Sequence, residues 1–421
     1  MLRLIYVALA RLIAPVAFAA ILWRGLRDRS YRDRLGERFG FGAVKLTQRS
    51  IWVHAVSVGE VQASAALVRA LRTRYPDIPL VLTTATPSGA TLAQSLFRDS
   101  VYHSFVPYDL PGSVRRFFER IQPRIAIILE TELWPNLYDA CGKRGIPLLL
   151  ASARVSQRSV GRYRRLAGLF RQTLANGIVI AAQSEADAER FRSIGANPDR
   201  TYVTGNIKFD FEVPATLPAE GARLRARYAP ARQVWIAGST HAGEEDILLD
   251  AHEQLLASGT DALLVLVPRH PNRFDDVASN LKRRGLNFVR RSRAESAAGD
   301  TQVLLVDSLG ELMVFYAAAD VAFVGGSLVA VGGHNLLEPA ALGLPILTGP
   351  NTYNAEGVAR RLIEVGAAQS VHDAAELSAS VAGLLRDPET RRASGARGRA
   401  TVEANRGALE KLLALVPPLI G

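Results

Sequence analysis

Short, uninterrupted apolar runs alternate with helical spacing along most of this 421-residue chain, in two successive series. The first series predicts strands at Ile51–Val56, Pro79–Thr84, Ile125–Glu130, Pro147–Ala151, Ile178–Ala182 and Tyr202–Thr204. Stretches with helical spacing, such as Val61–Tyr75 and Pro111–Ile121, lie between them. The second series predicts strands at Val234–Gly238, Leu263–Val267, Leu286–Arg290, Val303–Asp307, Val321–Val324 and Pro345–Thr348. A strand covered on both faces reads as a continuous apolar run, and parallel neighbours require a crossover, usually a helix. Each series therefore predicts a parallel sheet between helical layers. The pattern breaks at Phe211–Pro218, a proline-containing stretch with little periodicity. A linker at 211–231 then separates a domain at 24–210 from one at 232–421. Both halves open alike, Ile51-Trp52-Val53 leading to Gly59-Glu60 and Val234-Trp235-Ile236 to Gly243-Glu244. The expected fold is α/β, with two Rossmann-like doubly wound domains facing a central cleft. Ligands of such sheets gather beyond the carboxyl ends of the strands, so chemistry belongs in the strand-to-helix turns.

Before residue 24 the chain has a different character. Leu4–Trp23 holds a single charge, Arg11, and is just long enough, at about 1.5 Å per residue, to cross a hydrocarbon core of about 30 Å. Arg11 and Pro15 both weaken a full span, and a helix lying in the interface is the alternative. Ala17-Phe18-Ala19 resembles a signal-peptide cleavage site, but the apolar run continues through Trp23 and the basic cluster comes after it, which favours an uncleaved anchor at 1–23. Of the 51 Lys and Arg against 40 Asp and Glu, residues 1–45 carry nine basic against three acidic. Placed beside an apolar run, this excess suits a membrane surface rather than nucleic acid, and the positive-inside tendency places the chain beyond residue 24 in the cytoplasm. One cysteine, Cys141, excludes a disulfide scaffold and a cysteine-ligated zinc site.

Four turns carry the candidate chemistry. Ser57-Val58-Gly59-Glu60 puts a carboxylate on the first turn of a helix, where the macrodipole is expected to keep it ionised. Such a group either accepts a proton from a substrate hydroxyl or only complements the dipole. Glu130-Thr131-Glu132 ends an apolar strand with two carboxylates, which either position substrate hydroxyls or face solvent and a cap. In Pro268-Arg269-His270-Pro271-Asn272-Arg273 two prolines frame an arginine suited to a phosphate, or to solvent. No second ligand stands at metal-binding spacing from His270. Phe323-Val324-Gly325-Gly326-Ser327-Leu328 and Gly332-Gly333-His334-Asn335-Leu336-Leu337-Glu338 place glycine pairs around a cap, with a helix expected from Leu336. There the free N–H groups suit one phosphate and Glu338 suits ribose hydroxyls; otherwise this is a capped helix after a loop. Gly238-Ser239-Thr240-His241 is a further polar turn, and Lys208 either brings a positive charge toward the cleft or stays solvated. GxxxxGK[ST], GxGxxG after the first strand, GxSxG and HExxH are all absent, which argues against an ordinary NTPase, a dinucleotide dehydrogenase, a serine hydrolase and a zincin.

Taken in order, His54-Ala55-Val56-Ser57-Val58-Gly59-Glu60, Glu130-Thr131-Glu132-Leu133-Trp134-Pro135, Gly205-Asn206-Ile207-Lys208-Phe209-Asp210, Pro268-Arg269-His270-Pro271 and the two glycine-pair segments resemble the 3-deoxy-D-manno-octulosonic acid (Kdo) transferases of lipopolysaccharide synthesis. The resemblance covers nearly the whole chain. It implies a GT-B glycosyltransferase that takes CMP-Kdo as donor and an anionic lipid A precursor, lipid IVA, as acceptor. On that basis 24–210 is the acceptor-binding domain and 232–421 the CMP-sugar-binding domain. Glu60 matches the family's catalytic base, and Glu130 and Lys208 match positions credited with stabilising the transition state. Pro268 and Arg269, Leu309, Gly310 and Glu311, and Asn335, Leu336, Leu337 and Glu338 match its CMP-binding segments. Two departures, Ala330-Val331 before Gly332 and Ser152 at the head of Ser152–Ser156, lie beside these motifs.

The resemblance further implies transfer with inversion, Glu60 deprotonating the acceptor hydroxyl while the departing phosphate meets Arg269, Lys208 and the N–H groups near Leu336. No cofactor and no metal are expected, the partners being CMP-Kdo, the phosphoglycolipid and the cytoplasmic face of the inner membrane, with no nucleic acid. Another GT-B enzyme using a UDP-sugar, or a non-catalytic nucleotide-binding protein, is the competing reading. A donor screen and Glu60→Gln respectively separate them from a Kdo transferase.

Overall fold

A computed structural model describes residues 2–420 except 28, 43, 131, 156–159, 162–173, 175–176, 294–296 and 298. Thr131 and Ser156, parts of two of the motif segments, therefore lie outside the described residues. The chain divides into two compact units, Met1–Phe211 with Asn405–Gly421, and Glu212–Ala404.

The first unit is built on seven strands, β1 Ser50–His54, β2 Leu80–Thr84, β3 Tyr102–Phe105, β4 Pro123–Leu129, β5 Leu148–Ala153, β6 Val179–Ala182 and β7 Thr201–Val203. They pair in parallel in the order β3-β2-β1-β4-β5-β6-β7. Successive residues point to opposite faces. Trp52, Ala126, Ile128, Leu148 and Leu150 enter one core, while Ile51, Val53, Ile125, Ile127 and Leu149 enter the other. That double coverage is why these strands read as continuous apolar runs. The Pro111–Ile121 helix has the expected bounds, and the helix after β1 runs Val58–Arg74, three residues earlier than its spacing suggests.

The second unit repeats the scheme with β8 Gln233–Thr240, β9 Ala262–Pro268, β10 Phe288–Arg290, β11 Val303–Leu305, β12 Val321–Val324, β13 Ile346–Thr348 and β14 Ala368–Ser370. The parallel order is β10-β11-β9-β8-β12-β13-β14. Trp235, Ala237, Leu264 and Leu266 face one core; Val234, Ile236, Leu263 and Val265 face the other. Strands β3 and β14, which the sequence does not announce, complete the two sheets.

Residues 405–421, read from the sequence as the end of the second domain, group with the first unit. Leu412, Val416 and Ile420 pack into the core that holds Ile51 and Val53. The Asp210 carboxylate accepts from the N–H groups of Gly407 and Leu409, both at 2.6 Å.

Leu2–Arg27 forms one helix, and Arg3–Leu26 within it is long and apolar enough to cross a membrane. It touches the first unit through Tyr6 Oη, donating to Asp109 Oδ2 at 2.7 Å, and through Arg3 paired with Asp139. Phe18 meets Phe39 edge-on with centroids 5.5 Å apart. Tyr6, Ala10, Ala14, Phe18, Ile21 and Gly25 form the shielded stripe, whereas Leu4, Leu12 and Val16 are about 70% exposed. Part of the basic cluster beyond the helix is structural. Arg38 is buried, donates to the Ala85 carbonyl at 3.0 Å and lies over the Phe105 ring, while Arg34 pairs with Glu37 and donates to the His103 carbonyl. Arg24, Arg29 and Arg32 stay exposed.

Candidate active site

In the first sheet the chain leaves β1 toward β2 and returns to β4 on the other side of β1, so the switch point lies between the ends of β1 and β4. Glu60 follows β1 and Glu130 follows β4. Glu60 stands on the first turn of the Val58–Arg74 helix. Its Oε2 accepts from the Val56 N–H at 2.8 Å and its Oε1 from Ser57 Oγ at 3.3 Å. Burial, reinforced by Glu130 and Glu132, outweighs the Val56 N–H and Lys208 and lifts the carboxyl from an ordinary 4.5 to about 7. This corrects the expectation that the helix dipole keeps it firmly ionised: a first-turn dipole contributes at most about 1 kcal/mol at an exposed site, and desolvation outweighs it here.

Glu130 sits at φ +57, a left-handed backbone that turns its side chain away from the strand direction. Its Oε1 accepts from Lys208 Nζ at 2.6 Å, and Arg154 lies 3.4 Å from Oε2. Lys208 is thus neither solvated nor isolated. A one-turn 3₁₀ segment, Ile207–Phe209, presents it, with Asn206 Oδ1 accepting its N–H at 3.0 Å. Glu132, held by Trp134 Nε1, is also pushed up by burial. The cluster offers one carboxyl poised to exchange a proton near neutrality beside a lysine–carboxylate pair.

In the second sheet the corresponding switch point lies between β8 and β12. Glu244 is fully buried there. It accepts from Gly326 N, Ser327 N and Leu328 N at 2.7, 3.0 and 2.9 Å, and from His241 N at 3.2 Å. The Gly326 amide and the two that follow it therefore serve an internal carboxylate, and the Gly325 N–H donates to the Gly238 carbonyl at 2.8 Å. The pair is needed for close packing, since a Cβ at Gly325 would lie 2.6 Å from the Ser239 carbonyl.

Pro268 ends β9, and the Arg269 N–H donates to the Thr240 carbonyl at 3.0 Å. Among the described residues no carboxylate lies within ion-pair distance of the Arg269 guanidinium. Leu309 is 67% exposed, Gly310 takes φ +85, and Glu311 is gripped by Arg291 and Ser308. Asn335 Oδ1 accepts from Leu337 N, and its amide donates to Glu338 Oε1 at 3.1 Å, so the two side chains bond each other instead of forming the reciprocal backbone bonds of the expected capping box, and Leu336 is the N-cap residue. The helix it opens is only Leu337–Ala341, one residue later than expected, and burial holds Glu338 above the usual carboxylate range. Glu244 and the meeting of His241 with His334 escape sequence reasoning. The echo of Gly59-Glu60 in Gly243-Glu244 is the one signal that pointed toward Glu244.

Two parallel doubly wound sheets, each with its polar residues gathered at a switch point, define the GT-B class of glycosyltransferases. Residues 246–401 match the family described as glycosyl transferases group 1. A UDP-GlcNAc 2-epimerase from Neisseria meningitidis shares this fold at 15% identity, TM-score 0.55, covering 87% of this chain and 100% of its own. More narrowly, residues 33–211 match the 3-deoxy-D-manno-octulosonic-acid transferase (kdotransferase) family. A 3-deoxy-D-manno-octulosonic acid transferase from Haemophilus influenzae is 41% identical over 421 residues, 99% of each chain. One from Bordetella pertussis is 36% identical over 437 residues, all of both chains. The chain belongs to the Kdo transferase family and is a glycosyltransferase of lipopolysaccharide biosynthesis.

Proposed function

We propose that this chain moves Kdo from CMP-Kdo to a sugar hydroxyl of an anionic lipid A precursor, lipid IVA, with Glu60 as general base and inversion at the anomeric carbon. Glu60 carries the reading: its carboxyl lies at a switch point and titrates near pH 7, where a general base is most effective. Its Oε atoms take the acceptor proton as the alkoxide oxygen forms its bond to the Kdo anomeric carbon, and the bond to the CMP phosphate oxygen breaks on the opposite face. Lys208, paired with Glu130, is assigned to growing negative charge. Arg269, with no carboxylate at ion-pair distance among the described residues, is assigned to the CMP phosphate. Pro268, Leu309–Glu311 and Asn335–Glu338 are assigned to the rest of the nucleotide on the family resemblance.

The amino-terminal helix supports work at a lipid surface. A helix held to its own unit through Tyr6 and Phe18, with Leu4, Leu12 and Val16 facing out, suits an in-plane position at the inner membrane. Exposed Arg24, Arg29 and Arg32 beyond it suit an anionic cytoplasmic leaflet.

Glu60→Gln tests the central claim. Removal of a general base should lower kcat by about 10²–10⁴-fold while CMP inhibition stays near wild type. Turnover within a few fold of wild type would remove Glu60 from this role.

A further inference from the structure

Three histidines from three different turns of the second unit meet. His241 follows β8, His270 follows β9 and His334 precedes the Leu337–Ala341 helix. The rings of His241 and His334 are stacked, 6° from parallel with centroids 5.0 Å apart, and their Nε2 atoms face each other at 2.7 Å. His270 meets His241 edge-on at 5.2 Å. Gly326, at φ +70, makes room for them: a Cβ there would lie 3.0 Å from His334 Cδ2 and 3.4 Å from His241 Cδ2. Among the described residues no carboxylate lies within ion-pair distance of any of these three rings. Burial first, then the neighbouring imidazoles and Arg269, hold His241 and His334 below the ordinary value for histidine; burial and Arg269 do the same for His270. Imidazole N–H groups with no carboxylate at ion-pair distance among the described residues offer a seat to an external anion.

We propose that His241, His270 and His334 receive the carboxylate of the donor sugar. The inference rests on the CMP-Kdo reading and adds the group that distinguishes a keto-acid sugar from an ordinary aldose. CMP alone offers one anion, its phosphate, which Arg269 is assigned to hold. In CMP-Kdo a second anion, the sugar carboxylate, is attached to the same anomeric carbon as the phosphate ester. The seat for that second anion therefore has to adjoin Arg269. These histidines adjoin it, His270 by sequence and His241 and His334 through its field, which also reaches the buried Glu338. In a neutral pair sharing one proton between the two Nε2 atoms, the accepting ring carries its N–H on Nδ1. That N–H and the His270 ring supply the hydrogen bonds a carboxylate needs, while Arg269 supplies the charge. A donor activated at a carbon without a carboxylate leaves these groups unmatched, so the cluster acts as a specificity element.

The test compares CMP-Kdo with CMP on wild type, His334→Gln and His270→Ala, with acceptor in detergent. Losing a hydrogen bond to a charged group should raise the KM for CMP-Kdo about tenfold or more in His334→Gln, and less in His270→Ala. The inhibition constant of CMP and the KM for acceptor should stay within about twofold. Parallel loss of CMP affinity would assign the cluster to the phosphate and overturn the proposal. So would an unchanged CMP-Kdo KM in both variants. His270 is exposed, so its variant keeps the test valid if His334→Gln misfolds. Wild-type enzyme that binds and turns over no CMP-Kdo would overturn both this inference and the reading beneath it.

Discussion

Two opposing tendencies meet at Glu60. Its place on the first turn favours the anion, while its burial beside Glu130 and Glu132 favours the neutral acid, and burial prevails. For catalysis, kcat/KM should fall as pH drops below about 7, because the protonated carboxyl cannot accept the acceptor proton. Lys208→Met removes a charge that lowers the Glu60 pKa, so the acid limb should move to higher pH as turnover declines; an unmoved limb would separate Lys208 from Glu60. The same raised pKa acts on stability in the opposite sense. The contribution of Glu60 is intact below pH 4.5 and is lost as pH rises through about 7, because folding then holds an anion in a poorly solvated place. Glu60→Gln should therefore unfold at a higher temperature than wild type at pH 8, with the advantage gone at pH 4.5. The candidate residues themselves were legible as motifs. Their titration was not, because it depends on burial by the folded chain and on the charges of Glu130 and Glu132, about seventy positions away.

Among elements, the turns at the two switch points do different work. The turn after β1 leaves its carboxylate able to exchange protons, while the turn after β12 closes on Glu244. Glu244→Gln would set an amide NH₂ against backbone N–H donors, costing the second unit about 2–4 kcal/mol, seen as an earlier urea midpoint. Central strands were legible because both faces are buried. Strands β3 and β14 were not, since each lies at a sheet edge with residues open to solvent, such as Tyr102 and Gln369, so no continuous apolar run marks them. The amino-terminal helix was legible as an apolar segment, but its contacts with Asp109, Asp139 and Phe39 were not. Placing aspartate at Leu4, Leu12 and Val16 together should release the protein from membranes while detergent-assayed turnover persists. Unchanged membrane recovery would show that this face is not the attachment surface.

For the whole molecule, the least legible feature was the return of 405–421 to the first unit. Helical spacing in this tail is ordinary, and nothing local says which of two cores receives Leu412, Val416 and Ile420. A chain ending before residue 405 should lose the first unit's cooperative melting, since that core would open to water along one face. Asp210 draws out one more consequence. It sits beside the point where the backbone leaves the first unit, and it grips Gly407 just after the backbone comes back. The departing and returning ends are therefore neighbours, and in genetic terms residues 212–404 are a cassette housed inside another gene product. Splicing codon 211 to codon 405 through a few glycines should leave a self-sufficient remnant that still melts in one step. Laboratory recombination could then exchange the cassette among relatives without disturbing its host.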